Sequence, residues 1–249
     1  MVDVGPMARR RAPLLVLHDR IVRCRACPRL VAWREEVGRT KRRMYAGETY
    51  WARPVPGFGD PQARVLVVGL APGAHGANRT GRAFTGDRSG EFLYAALHRA
   101  GYASQPTSTS ADDGLLLEDA FVSLPVRCVP PDNKPTPAEV RTCAPLFDAE
   151  LDLLPRVRVV LALGAIAWNA FLDHCARAAL GADVGPLGPR AAFAHAREVD
   201  LGRIRPITLV GSYHVSQQNT QTGRLTPAMF DAILARVRHL STGPESQKG

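Results

Sequence analysis

The apolar run Val65-Leu-Val-Val68 passes directly into a long glycine-rich stretch, Gly69-Leu-Ala-Pro-Gly-Ala-His-Gly-Ala-Asn-Arg-Thr-Gly-Arg-Ala-Phe-Thr-Gly-Asp87. Ser89-Gly-Glu-Phe-Leu-Tyr-Ala-Ala-Leu-His98 follows. The first run reads as a buried strand; the last reads as a helix that Ser89 can cap. A glycine-rich loop therefore leaves the C-terminal end of a strand, the edge where open α/β sheets bind ligands. Its glycines let backbone come close to a ligand and expose N–H donors. His75, Asn78, Thr80, Arg82 and Asp87 add polar groups, and Phe84 adds a flat apolar face. No Gly-Lys-Ser/Thr closes the loop, so it is not a Walker A loop, and the Gly-x-Gly-x-x-Gly dinucleotide spacing is absent.

The remaining chain repeats this alternation. Ala120–Leu124, Val157–Gly164 and Ile207–Gly211 read as strands. Helices are expected from Ala138 to about Leu154, over Ile166–Cys175, and from Thr226 to Arg238, where Thr226 caps and Pro227 takes the first helical position. Strands alternating with helices give an α/β layered fold with a mostly parallel sheet. A second polar loop, Ser212-Tyr-His-Val-Ser-Gln-Gln-Asn-Thr-Gln-Thr-Gly-Arg224, leaves the last strand and can face the first loop across one cleft. The helical pattern from Pro13 to about Val37 is interrupted at Cys24-Arg-Ala-Cys27-Pro28. Residues 1–12 read as a disordered basic arm, 13–240 as one domain, and 241–249 as a fraying tail. Ser104–Gly114 reads as a mobile surface loop, and Ala176–Arg203 resists assignment.

With 249 residues the chain can bury one substantial core. A formal charge of +9 favours a polyanionic partner such as nucleic acid. The basic run Arg39–Arg43 and the aromatic Tyr45, Tyr50 and Trp51 are a mixture suited to a nucleic-acid channel or to a surface loop. No apolar run approaches the roughly 18 residues that span a bilayer, and no secretory leader is evident, so a cytosolic protein is expected.

Of the five cysteines, Cys24 and Cys27 are spaced to reach one metal. Cys128 ends a strand, and Cys143 lies in the next helix across a proline-rich loop. Four sulfurs in a cytosolic protein point to zinc or an iron–sulfur cluster, which spacing does not separate. Cys175, in an apolar helical context, reads as core.

Taken together, the glycine-rich stretch, Phe84-Thr-Gly-Asp87, the four cysteines and His214-Val-Ser-Gln-Gln-Asn219 resemble the uracil-DNA glycosylase superfamily, and within it the type-5 enzymes. The resemblance runs from about Cys24 to Leu240. It implies a three-layer α/β/α sandwich around a four-stranded parallel sheet. It also implies a structural 4Fe–4S cluster on Cys24, Cys27, Cys128 and Cys143. The implied activity is monofunctional base excision from DNA by a monomer working at the nucleoid.

Phe84 then offers the face on which an everted base stacks, and Gly73, Ala74, His75, Ser123 and Asn219 join it as substrate-binding candidates. His214 resembles the family histidine that contacts the base carbonyl. Many relatives place an acidic or amide residue early in the first motif to activate water. Leu70 stands there, so Asn78 and Asp87 are the catalytic candidates beside His214, Asp87 being equally placed to cap the following helix. Leu124 replaces an asparagine that reads the pyrimidine edge in some relatives, so broad specificity is expected, including deaminated purines such as hypoxanthine. Gln217, Gln218 and Arg224 are the candidates to enter the minor groove or fill the gap left by the base. A non-catalytic iron–sulfur module that binds damage is the alternative, because an obvious general base is missing.

Overall fold

The computed structural model describes residues 6–180, 191–202 and 206–243. Helix α1 (Pro6–Val22) and helix α2 (Pro28–Thr40) are separated by the Cys24–Cys27 linker. Pro28 opens α2, a position where its missing N–H costs nothing. The sequence placed a disordered arm at residues 1–12, but α1 begins at Pro6; residues 1–5 lie outside the described residues.

Strands β1 (Phe58–Gly59), β2 (Val65–Val68), β3 (Ala120–Ser123), β4 (Val159–Leu163), β5 (Glu198–Asp200) and β6 (Thr208–Ser212) form one sheet in the order β1-β3-β2-β4-β6-β5. The inner four run parallel, in register from Val65 opposite Ala120 and Val159 to Val159 opposite Thr208. Both edge strands pair antiparallel, so the sheet has six strands where four were expected.

Side chains alternate across the sheet, as a strand period of two requires. Val65 and Val67 face a core shared with helix α4 (Arg88–Arg99) and helix α8 (Pro227–Thr242), including Leu93, Tyr94, Phe230 and Leu234. Leu66 and Val68 face the opposite core, with Phe147 of helix α5 (Pro137–Asp152) and Trp168 and Phe171 of helix α6 (Ala165–Leu180). Residues of β2, β3 and β4 are buried throughout, as a sheet covered on both faces demands. This is the α/β/α sandwich. Cys175 sits in the second core, at 3% exposure. Among the described residues no helix is long and apolar enough to cross a membrane.

Ser104–Gly114, expected to be a mobile surface loop, is tethered at Ser108 and Asp113. Arg82, buried at 5% exposure, reaches into it with an ion pair to Asp113 (2.7 Å) and a hydrogen bond to Ser108 Oγ (2.7 Å). Thr85 and Ser108 share a further hydroxyl bond of 2.7 Å. The loop thus braces the glycine-rich stretch from behind. Of the segment that resisted assignment, 176–180 end α6 and 198–200 form β5, while 181–190 and 203 lie outside the described residues.

Candidate active site

The glycine-rich loop and the loop after β6 meet over one cleft of about 980 Å³ at the C-terminal edge of the parallel strands. Gly73, Ala74, His75, Phe84 and Asp87 line it from the first loop, and His214, Gln217 and Gln218 from the second.

Phe84 holds its place by close packing. Its backbone is left-handed (φ 53°), a costly conformation for a bulky residue that persists only where its surroundings impose it. Two glycines make room for it here. A Cβ on Gly69 would stand 2.6 Å from the Phe84 ring, and one on Gly90 would collide with the Phe84 carbonyl. Tyr94 Oη adds a hydrogen bond to the Ala83 carbonyl (2.8 Å).

His214 faces Phe84, with ring centroids 6.1 Å apart and planes 34° from parallel. Burial pushes its imidazole down to about 4, so it is neutral near pH 7 and presents an N–H donor rather than a cation. Asn219 Nδ2 donates to the His214 carbonyl (2.8 Å) and fixes the loop. Asn219 therefore orients His214 through its backbone. Arg224 lies with its guanidinium 4.5 Å over the Tyr213 ring and does not line the cleft.

Asp87 caps α4, accepting from Gly90 N–H (2.9 Å), so the cap is Asp87 and not Ser89. Its other oxygen, Oδ2, lies so close to Gly73 and Gly76 that a Cβ at either would strike it. Burial pushes the carboxyl up, against the pull of the Gly90 and Ser89 N–H groups. Asp87 is thus a cleft-lining carboxylate with one oxygen engaged by the helix and raised basicity.

Two further candidates sit away from the cleft. Asn78 is fully buried at 0% exposure; its Nδ2 donates to the Arg34 carbonyl (3.3 Å), tying a short helix α3 (Ala77–Thr80) to α2. Ser123, also at 0% exposure, donates from Oγ to Glu150 Oε2 (2.5 Å) and accepts from Arg127 (3.2 Å). Neither side chain reaches a base in this cleft.

The four cysteines are brought together at the junction of the Cys24–Cys27 linker, the β3–α5 loop and α5. Cys24, Cys27, Cys128 and Cys143 line one small cavity with Arg127. Arg29 clamps α2 to α5 through Glu139 (2.8 and 2.7 Å), and a Thr136–Glu139 capping box starts α5. Among the described residues, no three Cys, His, Asp or Glu side chains converge as a single metal ion needs.

Two guanidinium groups that sequence reasoning missed flank this cavity. Arg34, 2% exposed, donates to Cys128 Sγ (3.0 Å) while its Nε has no partner. Arg127, 1% exposed, leaves Nε and one terminal nitrogen unpartnered, and its backbone N–H donates to Cys143 Sγ (3.4 Å). Arg127 has Glu150 on its other terminal nitrogen (2.8 Å), so what the two groups still lack is an acceptor for these remaining buried N–H groups.

A family model described as the uracil DNA glycosylase superfamily matches residues 56–238. The chain belongs to that superfamily. Within it the chain is 55% identical over 218 residues to a type-5 uracil-DNA glycosylase of Thermus thermophilus, covering 88% of this chain and 94% of that protein. A type-5 enzyme of Pyrobaculum aerophilum is 44% identical over 219 residues, covering 88% and 89%. The same organism's type-4 enzyme is 30% identical over 164 residues, covering 66% of each chain. The type-5 branch is therefore the one to which this superfamily member belongs.

Its cleft also contains residues outside the two motifs. Arg42, Met44 and Tyr45 form one rim, and Asp132 and Asn133 of the proline-rich loop form another. Asp132 and Asn133 both carry left-handed backbone (φ 53° and 55°), which turns this loop back over the glycine-rich one.

Proposed function

We propose that the protein excises uracil from DNA by hydrolysing the N-glycosidic bond, leaving an abasic site. The observation that carries this is Phe84 and His214 facing each other across a cleft that also holds the Asp87 carboxylate.

The chemistry follows from those positions. An everted uracil stacks on Phe84, an interaction worth about 1–3 kcal/mol. As the bond from C1′ to the base nitrogen breaks, its electron pair stays with the base and the sugar becomes oxocarbenium-like. Neutral His214 donates its N–H to the base carbonyl on which the negative charge collects. A water held at Asp87 attacks C1′, and its proton passes to the Asp87 carboxylate, whose raised basicity suits that task. The Gly73 and Ala74 backbone at the cleft wall helps to hold this water.

The pocket around the base is poor in fixed polar readers. Leu70 and Ala71 line the cleft, and Leu124 packs beneath Phe84 near Gly69. A pocket without a side chain dedicated to the pyrimidine edge rejects other bases weakly. Hypoxanthine is therefore a second substrate. The charge of +9, with Arg42 and Arg88 at the cleft, holds the phosphate backbone without reading sequence.

A 4Fe–4S cluster on Cys24, Cys27, Cys128 and Cys143 completes the reading. Four thiolates around iron carry net negative charge, which suits the N–H groups of Arg34 and Arg127 that have no other partner. When bound, the cluster pins α1, α2 and α5 together and supplies no chemistry to base release.

The test is a duplex carrying one uracil, followed by alkali, with an iron determination on the same preparation. Strand scission at the uracil, a weaker signal with hypoxanthine, and stoichiometric iron without zinc are expected. Binding without scission would leave the damage-binding module, and zinc in place of iron would remove the cluster.

A further inference from the structure

Among the described residues that line the cleft, one carries a large apolar side chain exposed to water: Met44, at 67% exposure. It sits at the middle of a single 3₁₀ turn, Arg43–Tyr45. That turn is braced by the glycine-rich loop. The Arg79 guanidinium lies 3.9 Å over the Tyr45 ring, and Arg79 also donates to the carbonyls of His75 (2.8 Å) and Gly86 (2.9 Å). Arg42 N–H donates to Tyr50 Oη (3.4 Å), which in turn bonds His75 Nδ1 (3.0 Å). Met44 is thus carried on a positioned turn while its own side chain packs into neither core.

The facing rim offers nothing equivalent. Gln217 and Gln218 are polar, and the apolar residue of that loop, Val215, is fully buried at 0% exposure. Eversion of a base from duplex DNA leaves a gap in the stack and costs a few kcal/mol in lost stacking and pairing. Proteins that part a base step in the minor groove frequently do so with an apolar wedge, methionine among them.

We propose that Met44 is this wedge: it enters the base stack beside the departing nucleotide and occupies the gap, with Arg42 on the adjoining phosphate. The assignment rests on the excision reading above. Gln217 and Gln218 then face the backbone and groove, not the vacated position. The thioether suits the task because a flexible, polarisable chain adapts to either neighbouring base pair. Met44 is a positioning residue; it stabilises the everted state and touches no reacting atom.

The wedge acts only where a stack exists, so its signature is a ratio. Single-turnover uracil release is measured on a duplex and on the matching single strand for wild type, Met44→Ala and Met44→Leu. Met44→Ala lowers the duplex-to-single-strand rate ratio by about tenfold or more, the loss of part of the unstacking compensation, and Met44→Leu restores most of it. A ratio unchanged in Met44→Ala overturns the assignment, whether both rates fall together or neither falls. Wild-type protein that releases uracil from neither substrate overturns the excision reading itself, a result distinct from a normal wild type with an unaltered ratio. As a second readout, 2-aminopurine opposite the lesion brightens on wild-type binding and stays quenched with Met44→Ala.

Discussion

Replacing His214 with alanine lowers single-turnover uracil release by about 10²–10³-fold, the loss expected when one donor to a developing anion is removed. Affinity for the uracil duplex changes far less, because the donor acts most strongly on charge present only in the transition state. Equal losses in rate and affinity would make His214 a DNA contact instead. The neutral imidazole adds a pH signature. With its ionisation pushed down to about 4 by burial, His214 keeps its N–H without titrating through neutrality, and the rate shows no inflection from it near the usual imidazole range. The sign for stability follows. The unfolded chain protonates this histidine more readily than the folded one, so its contribution is intact above about pH 6.5 and is lost as pH falls towards about 4.

The second large effect falls far from the cleft. Glu150 in α5 is fully buried and gathers four groups: Gly57 N–H (2.8 Å), Ser123 Oγ (2.5 Å), Arg127 (2.8 Å) and His18 Nε2 (3.4 Å). Burial works to raise its carboxyl, but Arg127, His18 and Ser123 together hold it down to about 2. Its contribution is therefore present above about pH 4.5 and lost as pH falls through about 2. Glu150→Ala strands the buried Arg127 cation, and removing one partner of such a pair costs about 3–5 kcal/mol. The denaturation midpoint drops sharply, and because Arg127 also borders the cysteine cavity, the iron of the proposed cluster is expected to fall with it. A variant with an unshifted midpoint and full iron would show that the network holds nothing together.

The sequence carried the parallel frame because Val65–Val68 and its fellow strands are buried on both faces, and uninterrupted apolar runs are what such strands require. The edge strands escaped notice for the opposite reason. Strand β1 is two residues inside a proline-rich connector, and β5 shows exposed Glu198 and Asp200 beside a half-buried Val199. Phe84, His214 and Asp87 were legible because a loop after a strand must point at the cleft. Asn78 and Ser123 misled because a polar residue on a short helix within such a loop, or at the last position of β3, can equally turn inward, and only packing decides which. Glu150 carries a weak signal: it stands three residues after Phe147 on the apolar stripe of α5, where a carboxylate is tolerated only with buried partners. Arg34 and Arg127 are similar; an arginine near a cysteine reads as surface charge until its burial is known. Met44 had no signal, since an exposed methionine in a basic run has no period to belong to.

Whether a single base lodges between Phe84 and His214 is read most directly from a crystal structure with a duplex containing 2′-fluoro-2′-deoxyuridine, whose fluorine slows formation of the oxocarbenium-like sugar. The expected density shows uracil out of the helix, stacked on the Phe84 ring, with a carbonyl oxygen within hydrogen-bond reach of His214 and a water between Asp87 and C1′. Uracil still paired in the duplex, or lodged away from Phe84 and His214, would contradict it.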